Sequence, residues 1–105
     1  MDSWSMGSDV YLEFKVKVGN RQAHISGIKG ELYRGDEYVR DFAATSLDNG
    51  KVSGLIQGDT FHSIGDYKAK FEVSIQGMGK HEYAIPFLIT KSVLGKKRIN
   101  ANQLG

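Results

Sequence analysis

Three histidines are the side chains best suited to metal or acid–base chemistry, and their spacing argues against a shared site. His24, His62 and His81 are far apart in the sequence. No pair has the His-x-x-x-His spacing that brings two imidazoles to one ion on a single element. The chain contains no cysteine, which removes thiolate ligands and disulfides. We therefore expect no metal and no cofactor.

The remaining reactive side chains fall where ordinary turns are predicted. Asp59 and Asp66 flank a predicted connection, and aspartate is a common turn residue. The segment 77–80, Gly-Met-Gly-Lys, lacks the spacing of a phosphate-binding loop. Ser63 lies beside His62, but no third residue can be assigned to a catalytic triad from the sequence. The sequence predicts a protein that is not an enzyme.

Arg34, Gly35 and Asp36 form the tripeptide that binds integrins when a loop tip displays it. The tripeptide falls at a predicted turn, so an adhesive turn is one hypothesis. Glycine and aspartate are also favoured in turns for conformational reasons. Both interpretations stay open at the level of the sequence.

Large apolar side chains near the two ends of the chain suggest contact surfaces, since such residues outside a core often bind partners. The predicted interface residues are Trp4, Met6, Val93, Leu94, Lys96, Lys97, Arg98 and Ile99. The basic run 96–98 could instead lie along a phosphate backbone, but no aromatic residue is interleaved with it for base stacking. A solubilising terminus is the third interpretation of this segment.

Alternating apolar and polar residues predict the strands that position these side chains. The clearest run places one set on a single face of an extended ribbon: Tyr67, Ala69, Phe71, Val73 and Ile75. A second run, over residues 80–91, places Tyr83, Ile85, Phe87 and Ile89 inward, so the last two strands should form a hairpin. Pro86 lies on the opposite face and predicts an edge or a bulge there.

Shorter alternating segments precede this hairpin, at residues 10–18, 22–34, 37–44 and 51–57, with glycine and Asx turns between them. Such spacing predicts an all-β antiparallel β-sandwich of six or seven strands over residues 9–91, with a small barrel as the competing arrangement. Residues 1–8 are expected to be a polar leader and residues 92–105 a basic C-terminal extension, both outside the core.

Composition and charge suit a single β-rich domain of 105 residues, with 13 glycines and 1 proline. A formal charge of +2 gives no strong field for capturing nucleic acid, so a nucleic acid partner is not expected. No apolar segment approaches the roughly 18 residues of a spanning helix. The first residues lack the pattern of a signal peptide, so we expect no membrane association.

The segment 65–69, Gly-Asp-Tyr-Lys-Ala, resembles the tyrosine corner of immunoglobulin-like domains, in which a tyrosine after a turn hydrogen-bonds back to the backbone. The resemblance implies an immunoglobulin-like sandwich with Tyr67 as a structural residue. Ala69 stands where antibody domains carry their second cysteine, so the similarity is to the wider group of immunoglobulin-like sandwiches.

Within that group, residues 48–56 and 64–73 are similar to the amino-terminal domain of bacteriophage baseplate upper proteins, and residues 11–17 and 85–89 fit the same strand order. The resemblance implies a structural, assembly or adhesion module of a virion, in the tail, baseplate or capsid. It implies protein partners, either a second copy or other virion proteins, and a location in the virion or the host cytoplasm.

Two alternatives remain for the function. A sandwich that binds carbohydrate or a cell surface would be favoured if Tyr11, Tyr33 and Tyr38 cluster on one solvent-exposed face. A nucleic-acid-binding protein would use the basic residues 96–98 of the extension.

Overall fold

The computed structural model describes residues 1–91 and consists of strands, turns and two short 3-10 turns. The strands are β1 (Asp2–Ser5), β2 (Val10–Lys15), β3 (Lys17–Val18), β4 (Arg21–Gln22), β5 (Ile25–Arg34), β6 (Glu37–Ser46), β7 (Lys51–Ile56), β8 (Gly65–Ile75) and β9 (Gly79–Thr90). The 3-10 turns, Asp48–Gly50 and Gly58–Thr60, flank β7. The predicted all-β class is confirmed.

Seven strands form one hydrogen-bonded sheet in the order β1-β9-β8-β5-β6-β7-β2. The sheet folds over itself at β6, whose first half pairs with β5 and whose last residues, 43–46, pair with β7. Phe14 of β2 and Phe71 of β8 meet across the interior, with ring centroids 5.0 Å apart. The strands therefore form two packed layers, one of β1, β9, β8 and β5 and one of β7 and β2, joined by β6.

The strand order is that of an immunoglobulin-like sandwich, in which strands B, E and D form one sheet and C, F and G the other. When the strands are matched by their order along the chain, β2 corresponds to strand B, the end of β6 to strand D and β7 to strand E. The strands β5, β8 and β9 take those of C, F and G, and these neighbours pair antiparallel. The predicted immunoglobulin-like antiparallel β-sandwich is confirmed.

The core lies between the two layers and is built from the inward residues of the alternating strands. Every inward residue predicted for β8 is buried: Tyr67, Ala69, Phe71, Val73 and Ile75. On β9, Phe87 and Ile89 are buried, whereas Tyr83 and Ile85 are half-buried and pack against the core. Burying an aromatic side chain such as Phe87 contributes about 1.5–3 kcal/mol relative to exposure.

The strand β6 passes from one layer to the other at Phe42, and two glycines make room for its ring. A Cβ added to Gly30 of β5 would lie 2.5 Å from that ring, and one added to Gly54 of β7 would lie 2.6 Å from it. The ring also contacts Phe71 edge to face at 5.2 Å. Both glycines are therefore required by close packing at the crossing.

The expectation that residues 1–8 form a leader outside the core is wrong for β1. Asp2–Ser5 pair in parallel with residues 87–90 of β9, and the Met6 N–H donates to the Thr90 carbonyl at 2.8 Å. The Trp4 ring packs edge to face on Phe87 at 5.6 Å, and Trp4 and Met6 both contact the core. The strand reads Asp-Ser-Trp-Ser, in which a single apolar residue shows no alternation, so its sequence does not reveal it.

Candidate functional site

The Arg34-Gly35-Asp36 tripeptide forms the exposed turn between β5 and β6, where Gly35 has a φ of +61°. A glycine at the first central position is typical of a two-residue hairpin turn. Arg34 points away from the tip, because its Nη2 donates to the Ile64 carbonyl at 3.3 Å. The guanidinium thus joins this turn to the connection before β8. The adhesive role of the turn stays a prediction.

Tyr67 anchors the start of β8. Its hydroxyl donates to the Ser63 carbonyl at 2.7 Å, four residues upstream, and the side chain is 4% exposed. Its ring stacks on Phe87, with centroids 5.9 Å apart. This geometry is that of a tyrosine corner, and it fixes the path by which the chain crosses from β7 to β8.

An exposed aromatic and charged cluster lies on the outward face of β5, β6 and β8. We call the side chains of Tyr33, Tyr38, Asp41 and Lys70 the tyrosine patch. The two rings meet edge to face with centroids 5.8 Å apart, and Lys70 Nζ lies 4.3 Å above the Tyr33 ring. A cation over an exposed aromatic ring contributes about 0.5–1 kcal/mol. The tyrosines are thereby held in place while 50% of Tyr38 stays exposed.

Charged neighbours change the protonation behaviour of the patch. The Tyr38 hydroxyl donates to Asp41 Oδ1 at 2.9 Å, and this hydrogen bond raises the pKa of the Tyr38 phenol. Next to it, Lys29 Nζ lies 3.4 Å from Glu31 Oε2, and the hydrogen bond to Glu31 raises the pKa of Lys29. The patch therefore presents a neutral phenol and charges of both signs near neutral pH.

The three tyrosines proposed for carbohydrate binding do not share one face. Tyr11 lies on β2 in the other layer, where its hydroxyl donates to Glu13 Oε2 at 3.0 Å. Tyr33 and Tyr38 are adjacent, but their ring planes differ by 73°. The predicted flat aromatic platform for a sugar is therefore not formed by these side chains.

The two free edges of the sheet differ in their protection. The Thr90 carbonyl points toward β1. Because the direction of the backbone N–H and C=O groups alternates along a strand, every even-numbered residue of β9 directs these groups toward the side of β1. Pro86 is one of them and lies just before the part of β9 that pairs with β1. Because proline has no N–H to donate, the part of β9 that β1 leaves uncovered is a poor template for another strand.

The opposite edge, formed by β2, contains no proline. The Val16 N–H donates to the Gly50 carbonyl at 2.8 Å, in register with the β2–β7 ladder. Because the direction of the backbone groups alternates along a strand, the odd-numbered residues Tyr11, Glu13 and Lys15 direct their N–H and C=O groups away from β7. Among residues 1–91, no strand pairs with this side of β2. The sequence pattern predicted the strand but carried no sign of which edge stays open.

The histidines do not converge. His24 and His62 are exposed, and His81 faces the end of the core with a buried Nε2 that has no hydrogen-bond partner among residues 1–91. Within the described part of the chain, no three metal-ligating side chains form a cluster. A groove of about 380 Å³ beside the Gly35-Asp36 turn includes Asp66 and Lys68 in its lining.

The predicted interface residues have different outcomes. Trp4 and Met6 are partly taken up by contacts with the core, as described above. The other six lie outside the described residues, as does the basic run on which the nucleic-acid alternative depends: Val93, Leu94, Lys96, Lys97, Arg98 and Ile99. None of the helical turns found in residues 1–91 has the length and apolarity needed to cross a membrane.

Comparison with known proteins gives little beyond this geometry. No family model matches the chain, and no curated protein matches it significantly. A solved structure described as Dpr11 IG1 bound to DIP-gamma IG+IG2 aligns over 86% of this chain and 95% of that chain, with 14% identity and a TM-score of 0.42. The immunoglobulin-like assignment therefore depends on the strand order and the Tyr67 corner of this chain.

Proposed function

We propose that this protein is a non-catalytic module that binds another protein through the tyrosine patch, in an assembly or adhesion role. The observation that carries the proposal is the pair of a half-buried Tyr33 and an exposed Tyr38, held by Lys70 and Asp41 on the outward face of the sheet. Tyrosine is enriched in protein interfaces and in their energetic hot spots.

The geometry of the patch supports this proposal in a second way. A side chain that is already positioned loses less conformational entropy when a partner binds. Tyr33 is fixed by the cation above its ring, and Tyr38 by its hydrogen bond to Asp41. The charges of Lys70 and Asp41 then give the surface polar contacts around an aromatic centre.

A photo-crosslinking amino acid at position 38 tests the proposal in the cells that produce the protein. We expect a defined protein adduct from position 38 and none from position 78, which is 51% exposed in the wild type but lies in the turn between β8 and β9. Equal adduct patterns from both positions, or none from position 38, would contradict a binding role of the patch.

A finer proposal is that the module belongs to a bacteriophage virion. Its support is the similarity of residues 48–56 and 64–73 to the amino-terminal domain of baseplate upper proteins. Mass spectrometry of purified particles tests it, and we expect peptides of this chain among the structural proteins. Absence from the particles would contradict the virion proposal and leave the binding patch in place.

A further inference from the structure

An uncovered strand edge distinguishes this sandwich from the usual arrangement, in which strand A pairs with strand B. Here β1 pairs with β9 instead. Within the described residues, the outer side of β2 therefore has backbone N–H and C=O groups without strand partners, at Tyr11, Glu13 and Lys15. Such an edge is a template for an added strand.

The open edge also has a defined length. The strand β2 ends at Lys15, and the backbone of Val16 is engaged on the side of β7, where its carbonyl accepts a hydrogen bond from the Ala23 N–H at 3.3 Å. No proline interrupts β2, which reads Val-Tyr-Leu-Glu-Phe-Lys. An added strand can therefore pair along residues 11–15 without displacing any hydrogen bond of the β2–β7 ladder.

The side chains along this edge specify the added strand. Glu13 and Lys15 point to solvent on the outer face, two residues apart and opposite in charge. When two copies of β2 pair antiparallel about a two-fold axis at Phe14, Glu13 of each copy lies opposite Lys15 of the other. Opposite charges directly across a strand pair are stabilising, and like charges are destabilising.

We propose that β2 is a self-association edge, where two copies of the chain join their sheets through antiparallel pairing centred on Phe14. A two-fold axis makes one strand complementary to itself, so a single surface supplies both halves of the interface. Backbone hydrogen bonds of Glu13 and Lys15 give the affinity, and their charges fix the register. This edge lies in the layer opposite the tyrosine patch, so the inference is independent of the proposed function.

Sedimentation of the full chain over a range of concentrations tests the proposal. We expect a monomer–dimer equilibrium, in which Glu13→Lys and Lys15→Glu each weaken dimerisation about tenfold, because each places two like-charge pairs across the axis. The double variant carrying both substitutions should restore wild-type dimerisation. Lys80→Glu, at the edge that Pro86 protects, is the matched control and should leave it unchanged.

Several results would overturn the proposal. One is a monomer at every accessible concentration. Another is a dimer that Glu13→Lys and Lys15→Glu leave intact but that Tyr33→Ala and Tyr38→Ala dissociate. In that case the tyrosine patch, and not β2, would be the dimer interface. Amide hydrogen exchange adds a third, since the amides of Glu13 and Lys15, which lie opposite each other across the axis, should be protected only in the dimer. Protection in the monomer would mean that the same chain covers the edge.

Discussion

The hydroxyl of Tyr67 donates a 2.7 Å hydrogen bond to the Ser63 carbonyl and thereby closes the connection that leads into β8. We expect Tyr67→Phe to lower the free energy of unfolding by about 1–2 kcal/mol, because it leaves a partly buried carbonyl without its donor. Chemical denaturation measures the change. Tyr83→Phe is the matched control, since within residues 1–91 no hydrogen bond of the Tyr83 hydroxyl is seen. Equal losses in the two variants would contradict the role of the corner.

The close approach of Phe42 to Gly54 makes that glycine sensitive to a single added carbon. We expect Gly54→Ala to destabilise the fold by about 1–3 kcal/mol through overpacking. Gly27→Ala is the matched control, because a Cβ there would meet Ser74 at an ordinary 3.6 Å. Thermal unfolding should show a lower midpoint for the first variant only. Phe42→Leu should not restore the stability of Gly54→Ala, because the added Cβ would also lie 2.8 Å from the buried Phe71 ring.

The Tyr38 phenol should ionise at higher pH than an unperturbed tyrosine, whose pKa is about 10. The cause is its hydrogen bond to the Asp41 carboxylate, which favours the protonated phenol. Because the pKa in the folded state is raised, the stabilisation is present below the unfolded pKa and is lost as the pH rises through the folded one. Ultraviolet titration, with Tyr38→Phe as the blank, measures this pKa, and Asp41→Asn should lower it.

His81 has a buried Nε2 for which the described part of the chain offers no hydrogen-bond partner, and an unpaired buried polar atom is costly in a folded protein. We expect His81→Leu to raise the free energy of unfolding by about 1 kcal/mol, because it removes an unpaired polar atom from the end of the core. His62→Leu, at an exposed position, should change it much less. A marked loss of stability in His81→Leu would indicate that the imidazole has a partner.

The strands of the sandwich could be predicted because their alternation is strong, above all along β8 and β9. The tyrosine patch depends on register, which the sequence does not encode locally. Leu32 pairs with Arg40, but Tyr33 pairs with Tyr38, so a bulge at Val39 brings the two tyrosines side by side. Without that extra residue, Tyr33 would lie opposite Val39.

The open edge of β2 could not be predicted for a related reason. Whether strand A covers strand B depends on where the first strand docks, and residues 2–5 offer too few side chains to decide between the two layers. The choice is made by tertiary contacts, chiefly Trp4 on Phe87. The sequence therefore predicts the strands but does not predict which edge strand of the sheet stays unpaired.

The parallel pairing of β1 with β9 also has a consequence for biosynthesis. Asp2–Ser5 are translated before the other strands of the sandwich, and their partners in β9 are among its last residues to be translated. The nascent chain must therefore wait for almost the whole sandwich before this pair can form, and contacts so distant in sequence make folding slow. Until translation has passed Thr90, β1 lacks its complete pairing partner.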